Sequence, residues 1–147
     1  YGYNVEELRA EIGRILGVNN QHSIIVVGAG NLGRALMQNF HFKESGFRLL
    51  AAFDIAPALI GTEIAGTPVL DMAELERFVP VRRPDVAVLT VPQSAAQSMA
   101  DRLIELGIRG FWNFTNVELS SDLDGICFED VHFADSLLTL SYRITER

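Results

Sequence analysis

The chain has 147 residues, 48% of them hydrophobic and 21% charged, which suits one globular domain with a buried core. Its formal net charge of −7 argues against nucleic-acid binding by these residues alone, because contact with phosphates needs concentrated basic charge. No apolar run approaches the ~20 residues of a membrane span, and the single cysteine excludes an internal disulfide, as is typical of the reducing cytoplasm.

The chain begins with a predicted helix that precedes the first strand. Asn4 is an N-cap candidate, Glu7 completes a capping box with it, and apolar residues recur at helical spacing from Val5 to Leu16. A helix in this position is not part of a βαβ unit. We therefore interpret residues 1–20 as a linker helix to a segment upstream.

Solid apolar runs, typical of strands that are buried on both faces, then alternate with helical patterns. The predicted strands are Ser23–Val27, Arg48–Phe53, Asp85–Val91 and Gly110–Phe114, with a shorter one at Ile126–Phe128. The predicted helices are Leu32–Phe42, one from about Asp71 through Phe78, one from a Ser94 cap to Leu106, and one from about Asp130. Residues 61–68 are predicted to be a turn-rich link, and Pro80 and Pro84 to bound a loop. The alternation predicts an α/β fold with a doubly wound, Rossmann-type parallel sheet.

A loop of the form G-x-G-x-x-G follows the first predicted strand and opens a helix. Its residues are Gly28, Ala29, Gly30, Asn31, Leu32 and Gly33. In this pattern the first glycine allows a sharp turn, the second leaves room for a pyrophosphate, and the third allows close packing of helix and sheet. The N–H groups that begin the helix would face the phosphates. The motif predicts dinucleotide binding; the alternative is a glycine-rich turn that serves packing only.

An acidic residue ends the second predicted strand. Asp54 lies 21 residues after Gly33, where a carboxylate accepts hydrogen bonds from the adenine ribose and would repel a 2′-phosphate. The residues that follow, Ile55 to Pro57, supply no arginine to offset that repulsion. The pattern predicts NAD(H) rather than NADP(H); the alternative is that Asp54 only caps a turn.

Two further loops follow the carboxyl ends of strands, where ligands of open α/β sheets bind. Val91 and Pro92 end one strand, and Asn113 and Phe114 end the next. We expect these four residues to form walls of a nicotinamide pocket. The alternative is that they only end the strands and begin ordinary connecting loops.

The sequence offers little for catalysis. A hydride-transferring dehydrogenase needs an acid or base beside the substrate carbon and space for a substrate domain. His22 and His41 are expected at the surface or in packing, and only His132 is a candidate for the cofactor cleft. Cys127 is expected to be a buried structural thiol, and no cluster has the spacing of metal ligands. The sequence therefore favours binding without turnover, with no metal.

The last predicted helix carries an apolar seam. It consists of Phe133, Leu137, Leu140 and Ile144, at spacings of four, three and four. The seam either packs on the chain's own sheet or on a second subunit. Exchange of a terminal helix is a simple route to a dimer.

Taken together, these segments resemble the redox-sensing transcriptional repressors called Rex. The resemblance covers essentially the whole chain and is carried by Gly2–Val5 with Leu8, Gly28–Leu36, Phe53–Asp54, Val91–Pro92, Gly107–Gly110, Asn113–Phe114 and Leu137–Ile144. Many enzymes share the glycine loop alone. The cofactor domain of an NAD-dependent dehydrogenase and a CoA-binding domain are therefore the alternatives.

The resemblance implies a homodimer that exchanges its C-terminal helices and senses the NADH/NAD⁺ ratio. NADH would release the full-length protein from operator DNA, which an N-terminal winged-helix domain, absent from this sequence, would bind. Phe133 would reach the nicotinamide pocket of the partner subunit, and His132 stands where some members carry an acidic residue of the redox switch. Residues 1–20 would link the winged helix to an NAD(H)-binding domain, residues 21–129, followed by a dimerisation helix, residues 130–147.

Overall fold

The structure is a computed structural model that describes residues 21–145, apart from the side chains of residues 133–136. Its strands are β1 (His22–Val27), β2 (Phe47–Asp54), β3 (Glu63–Ile64), β4 (Thr67–Asp71), β5 (Val86–Leu89), β6 (Gly110–Asn113) and β7 (Cys127–Asp130). Its α-helices are α1 (Asn31–Asn39), α2 (Leu75–Arg82), α3 (Gln93–Glu105) and α4 (Phe133–Thr145). Short 3-10 turns lie at Lys43–Ser45 and Met72–Glu74. The predicted linker helix of residues 1–20 lies outside the described residues.

The seven strands form one sheet in the order β3-β4-β2-β1-β5-β6-β7. Neighbouring strands run parallel, except for the antiparallel pair β3 and β4. The chain moves outwards from β1 to β2 and β4, then returns to place β5 on the other side of β1. This reversal confirms the predicted doubly wound α/β fold, and it is the point in such sheets where ligands bind.

Side chains of the central strands alternate between two cores, one on each face of the sheet. Ile25 of β1 packs in the core that contains Leu103 of α3, whereas Val26 packs in the core that contains Met37 of α1. All four residues are at least 95% buried, with Ile25 and Val26 at 0% exposure. Burial on both faces explains why these strands are solid apolar runs rather than alternating patterns.

The segment predicted as a turn-rich link forms β3 and the start of β4. These strands are joined by a two-residue turn in which Ala65 and Gly66 both have positive φ, 50° and 83°. Such turns normally carry asparagine, aspartate or glycine at both positions. Since alanine is not typical of such turns, the hairpin could not be recognised from the sequence.

Three local predictions were wrong. Pro80 lies inside α2 rather than in a loop, because burial of Leu75 and Val79 holds the helix on the sheet despite the missing N–H group. Ser94 does not cap α3: Pro92 is the capping residue, and its side chain has no oxygen to accept a hydrogen bond from the helix. Asp130 does not start the last helix, because it pairs with Asn113 as the last residue of β7.

Cys127 is exposed, so the prediction of a buried thiol was wrong. It begins β7, which is an edge strand of the sheet. Along β7 only every second residue, Phe128 and Asp130, is half-buried, and Cys127 falls on the other face. The alternation over four residues was too short to settle this from the sequence.

The described residues of the apolar seam of α4, Leu137, Leu140 and Ile144, do not pack on the chain's own sheet. Every residue from 137 to 145 is exposed, and Leu137 and Ile144 are 68% and 65% exposed. Large apolar side chains in a row on one helix are unusual on the surface of a monomer. Within residues 21–145, no helix combines the length and the apolar character that a membrane crossing requires.

Candidate functional site

Two glycines of the loop after β1 are required by the fold itself. Gly28 has a φ of +101° and turns the chain off the sheet, and its N–H group donates to Phe53 O at 2.8 Å. A Cβ atom at Gly33 would lie 2.1 Å from Gly28 O, so α1 could not pack this closely against the loop. The roles predicted for the first and third glycines agree with these contacts.

Gly30 differs from both, because nothing in the described part of the chain requires a glycine there. Its φ of −73° is open to any residue, and no atom lies within 4 Å of the place where a Cβ would stand. It is exposed and immediately precedes the first residue of α1, where backbone N–H groups have no partner within the helix. A missing side chain at this place leaves room for a group that approaches the helix N-terminus from outside.

Asp54 ties the end of β2 to the glycine loop. Its carboxylate accepts hydrogen bonds from the N–H groups of Ala29 at 2.7 Å, Ile55 at 2.7 Å and Ala56 at 2.8 Å. The side chain therefore caps a turn, as the alternative interpretation supposed. A carboxylate has about four acceptor positions, so it retains capacity for a ribose hydroxyl.

Thr90 was not among the predicted site residues, yet it fastens the glycine loop to the neighbouring strand. Its hydroxyl donates to Gly28 O, and Val27 O lies 3.2 Å from the same hydroxyl oxygen. A Cβ at Gly28 would come within 2.8 Å of the same hydroxyl. The signal in the sequence was a short polar residue directly after the buried run of β5, which becomes informative only once β5 is known to lie beside β1.

The residues predicted for the nicotinamide pocket lie along the same edge of the sheet but differ in exposure. Val91 is buried in the core, whereas Pro92 is exposed at the start of α3. Asn113 is buried at 1% exposure, and half-buried Phe114 packs against Trp112 with ring centroids 4.7 Å apart. The four residues therefore lie at one edge of the sheet, but the side chains of Val91 and Asn113 are buried and only that of Pro92 is exposed.

A cavity of about 310 Å³ lies at this edge, beyond β6 and β7. It is lined by Asn113, Asn116, Val117, Glu118, Asp130, Val131 and His132. Phe133 begins α4 immediately after His132, and its side chain is outside the described part of the structure. Three strand spacings separate β7 from β1, about 14 Å, so a ligand that reaches both the glycine loop and this cavity must be extended.

The described residues contain no cluster of three or more His, Cys, Asp or Glu that could hold a metal ion. His22 and His41 are exposed, and His22 lies at the opposite end of β1 from the glycine loop. Of the three histidines, only His132 stands at the candidate site, as the sequence suggested.

A glycine loop after β1, an acid at the end of β2 and a reversal of strand order beside them define a nucleotide-binding domain of the Rossmann class. The family model that describes CoA-binding domains matches residues 19–117 of the chain. Within that class, the chain belongs to the Rex family of redox-sensing transcriptional repressors.

One relative is the redox-sensing transcriptional repressor Rex of Caldanaerobacter subterraneus subsp. tengcongensis, 43% identical over 146 residues. The match covers 99% of this chain and 65% of that relative, so the chain spans less than two thirds of its length. Solved structures of RSP, a Rex-family repressor, are 42% identical. RSP in complex with NADH has a TM-score of 0.86 over 99% of this chain and 70% of that one. RSP in complex with NAD⁺ and operator DNA has a TM-score of 0.83 over 99% and 67%.

Proposed function

We propose that the chain is the NAD(H)-sensing part of a redox-responsive transcriptional repressor that acts in the cytoplasm. It binds the dinucleotide without turning it over, and NADH releases the full-length protein from operator DNA. The observation that carries the proposal is Gly30, a glycine at a helix N-terminus that neither its φ angle nor any contact among residues 21–145 requires. A phosphate group that approaches the backbone at this helix N-terminus would explain why the residue is a glycine.

The related protein RSP supports the ligand and the target, since it was solved with NADH and with NAD⁺ and operator DNA. The acidic charge of −7 supports a division of labour in which this chain holds the nucleotide and other residues of the whole protein hold the DNA. In this arrangement the N–H groups at the start of α1 bind the pyrophosphate and Asp54 binds the adenine ribose. The nicotinamide end extends towards the cavity beyond β6 and β7. Bound NAD(H) supplies two redox states, whose rings differ by one positive charge.

Affinity for NADH is expected to exceed that for NADPH by about tenfold or more, because Asp54 would face the 2′-phosphate with like charge. Parallel calorimetric titrations with NADH, NAD⁺, NADPH and CoA measure this directly. Equal affinity for NADH and NADPH would remove the assigned role of Asp54. CoA is the second candidate ligand, favoured by the family model, and tighter binding of CoA than of either dinucleotide would replace the proposed function.

We infer that the chain forms a homodimer through α4. The helix presents Leu137, Leu140 and Ile144 on one side, each more than half exposed. The helix starts directly beside the cavity, so a subunit that packs on α4 would also lie near the nicotinamide end of the site. A ligand can shift two subunit arrangements only by its different affinity for each, and a site beside the interface offers that difference.

Phe133→Ala is expected to weaken NADH binding more than NAD⁺ binding and to narrow the gap between the two affinities. The cavity wall carries Glu118 and Asp130, which favour a cationic ring, so a preference for the neutral ring needs an apolar side chain nearby. Calorimetry with both cofactors tests this, with Leu137→Ala in the same seam as the control for changes in the interface. If Phe133→Ala weakens NADH and NAD⁺ binding by the same factor, Phe133 contributes to packing and does not distinguish the two redox states.

A further inference from the structure

Asn113 lies at the floor of the cavity, and its side-chain amide is completely engaged. Its Nδ2 atom donates to Val117 O at 2.7 Å and to Asp130 Oδ1 at 2.9 Å. Its Oδ1 atom accepts from Thr115 N at 3.0 Å and from Thr115 Oγ1 at 2.5 Å. A primary amide offers two donors and two acceptor lone pairs, so this one has none left for a ligand.

The partners of Asn113 belong to two separate chain segments that both contribute to the cavity wall. Thr115 and Val117 belong to the loop after β6, whereas Asp130 ends β7 and leads to the first residue of α4. The backbone of Asn113 joins the same two walls, because Val131 N donates to Asn113 O at 2.9 Å. Asn113 is 1% exposed, so removal of any one partner would leave a buried polar atom without a hydrogen bond. This cost keeps the four hydrogen bonds of the amide in place.

We infer that Asn113 is a positioning residue that sets the width of this cavity, and thereby its fit to the nicotinamide end of the dinucleotide. The inference rests on the proposed function and refines the predicted contact of Asn113 with the cofactor: the residue acts through the loop and through β7. The same hydrogen bonds fix the direction in which β7 enters α4, so the cavity wall and the root of the last helix form one unit.

Two substitutions distinguish the effect of the Asn113 hydrogen bonds from the effect of the Asp130 charge. Asn113→Asp keeps an oxygen for Thr115 but places a second oxygen against Val117 O and the carboxylate of Asp130, which forces the walls apart. Asp130→Asn keeps the acceptor for Asn113 and removes only the charge. The double variant Asn113→Asp/Asp130→Asn returns a donor to the pair, now on the side of β7.

Thermal unfolding and calorimetric titration with NADH, well below the melting temperature, are measured for each variant. Asn113→Asp is expected to weaken NADH binding about tenfold or more, Asp130→Asn by less than about threefold, and the double variant to recover a large part of the loss. The control for stability is Arg102→Met, which removes the ion pair with Glu76 at 2.6 Å, away from the cavity. It is expected to lower the melting temperature without changing the affinity.

Affinity within about threefold of the unmodified chain in Asn113→Asp would overturn the inference, and so would an equal loss of affinity in Arg102→Met. If Asn113→Asp does not fold, Thr115→Val makes the second test, because with little change of shape it removes one donor to Asn113 and also the acceptor of Val117 N, which both hold the loop wall. Unchanged NADH binding in that variant would likewise overturn the inference. A failure of the unmodified chain to bind NADH would overturn the proposed function itself.

Discussion

Replacement of Gly30 by valine is expected to abolish NADH binding, with a loss of about 100-fold or more, while the melting temperature stays within a few degrees. The φ of −73° suits valine, and no described atom lies within 4 Å of the new Cβ, so the fold is expected to persist. The same side chain would occupy the place of the pyrophosphate. Calorimetry with NADH and thermal unfolding together measure both halves of the expectation.

The matched control is Ala35→Val, which places the same side chain at an exposed position further along α1 and should bind NADH normally. Gly33→Ala serves as the opposite case: its Cβ would stand 2.1 Å from a carbonyl oxygen, so it should lose stability whether or not a ligand is present. Normal NADH affinity in Gly30→Val would show that the loop is only a turn and would remove the main support for the proposed function.

Two charges on the seam of α4 are expected to break the homodimer. Leu140→Glu combined with Ile144→Glu places carboxylates where apolar contact is proposed, and the dissociation constant should rise by about 100-fold or more, because unpaired buried charge is very unfavourable. Both side chains are more than half exposed within one chain, so the monomer fold should survive. Analytical ultracentrifugation across a concentration series gives the dissociation constant.

Thr139→Glu is the matched control, since the helical repeat places it on the other side of α4 from the seam. Deletion of α4 after His132 should give the same loss of dimer, or aggregation, while leaving β7 in place. A dimer that survives both the double substitution and the deletion would show that the subunits meet through another surface.

Strands β1, β2, β5, β6 and β7 and two glycines of the loop after β1 were predictable because their signals are local. Burial of Ile24 to Val27 on both faces forces a β-branched run, and the geometry of the glycine loop forces Gly28 and Gly33. The β3–β4 hairpin was missed because Ala65 adopts a conformation that alanine rarely takes. The family resemblance found from the same segments is confirmed by the relatives.

What the sequence could not supply were contacts between distant residues. Thr90 lies 62 positions from the carbonyl that it holds, and Asp130 lies 17 positions from Asn113. Each is an unremarkable polar residue until the sheet order brings it to its partner. The buried state of Asn113 was equally invisible, because asparagine at a strand end is usually exposed to ligand or solvent.

The three hydrogen bonds of Asp54 bear on any attempt to engineer this domain towards a phosphorylated cofactor. An exchange that replaces the acid by a residue without an acceptor, such as alanine, and adds an arginine nearby would relieve the repulsion, but it would also leave the N–H group of Ala29 without its partner and loosen the glycine loop. A successful redesign must therefore keep an acceptor within reach of that N–H group, as asparagine or serine could. In this protein one side chain, Asp54, both holds the glycine loop and would face the 2′-phosphate, so a change of cofactor preference has to preserve the loop geometry at the same time.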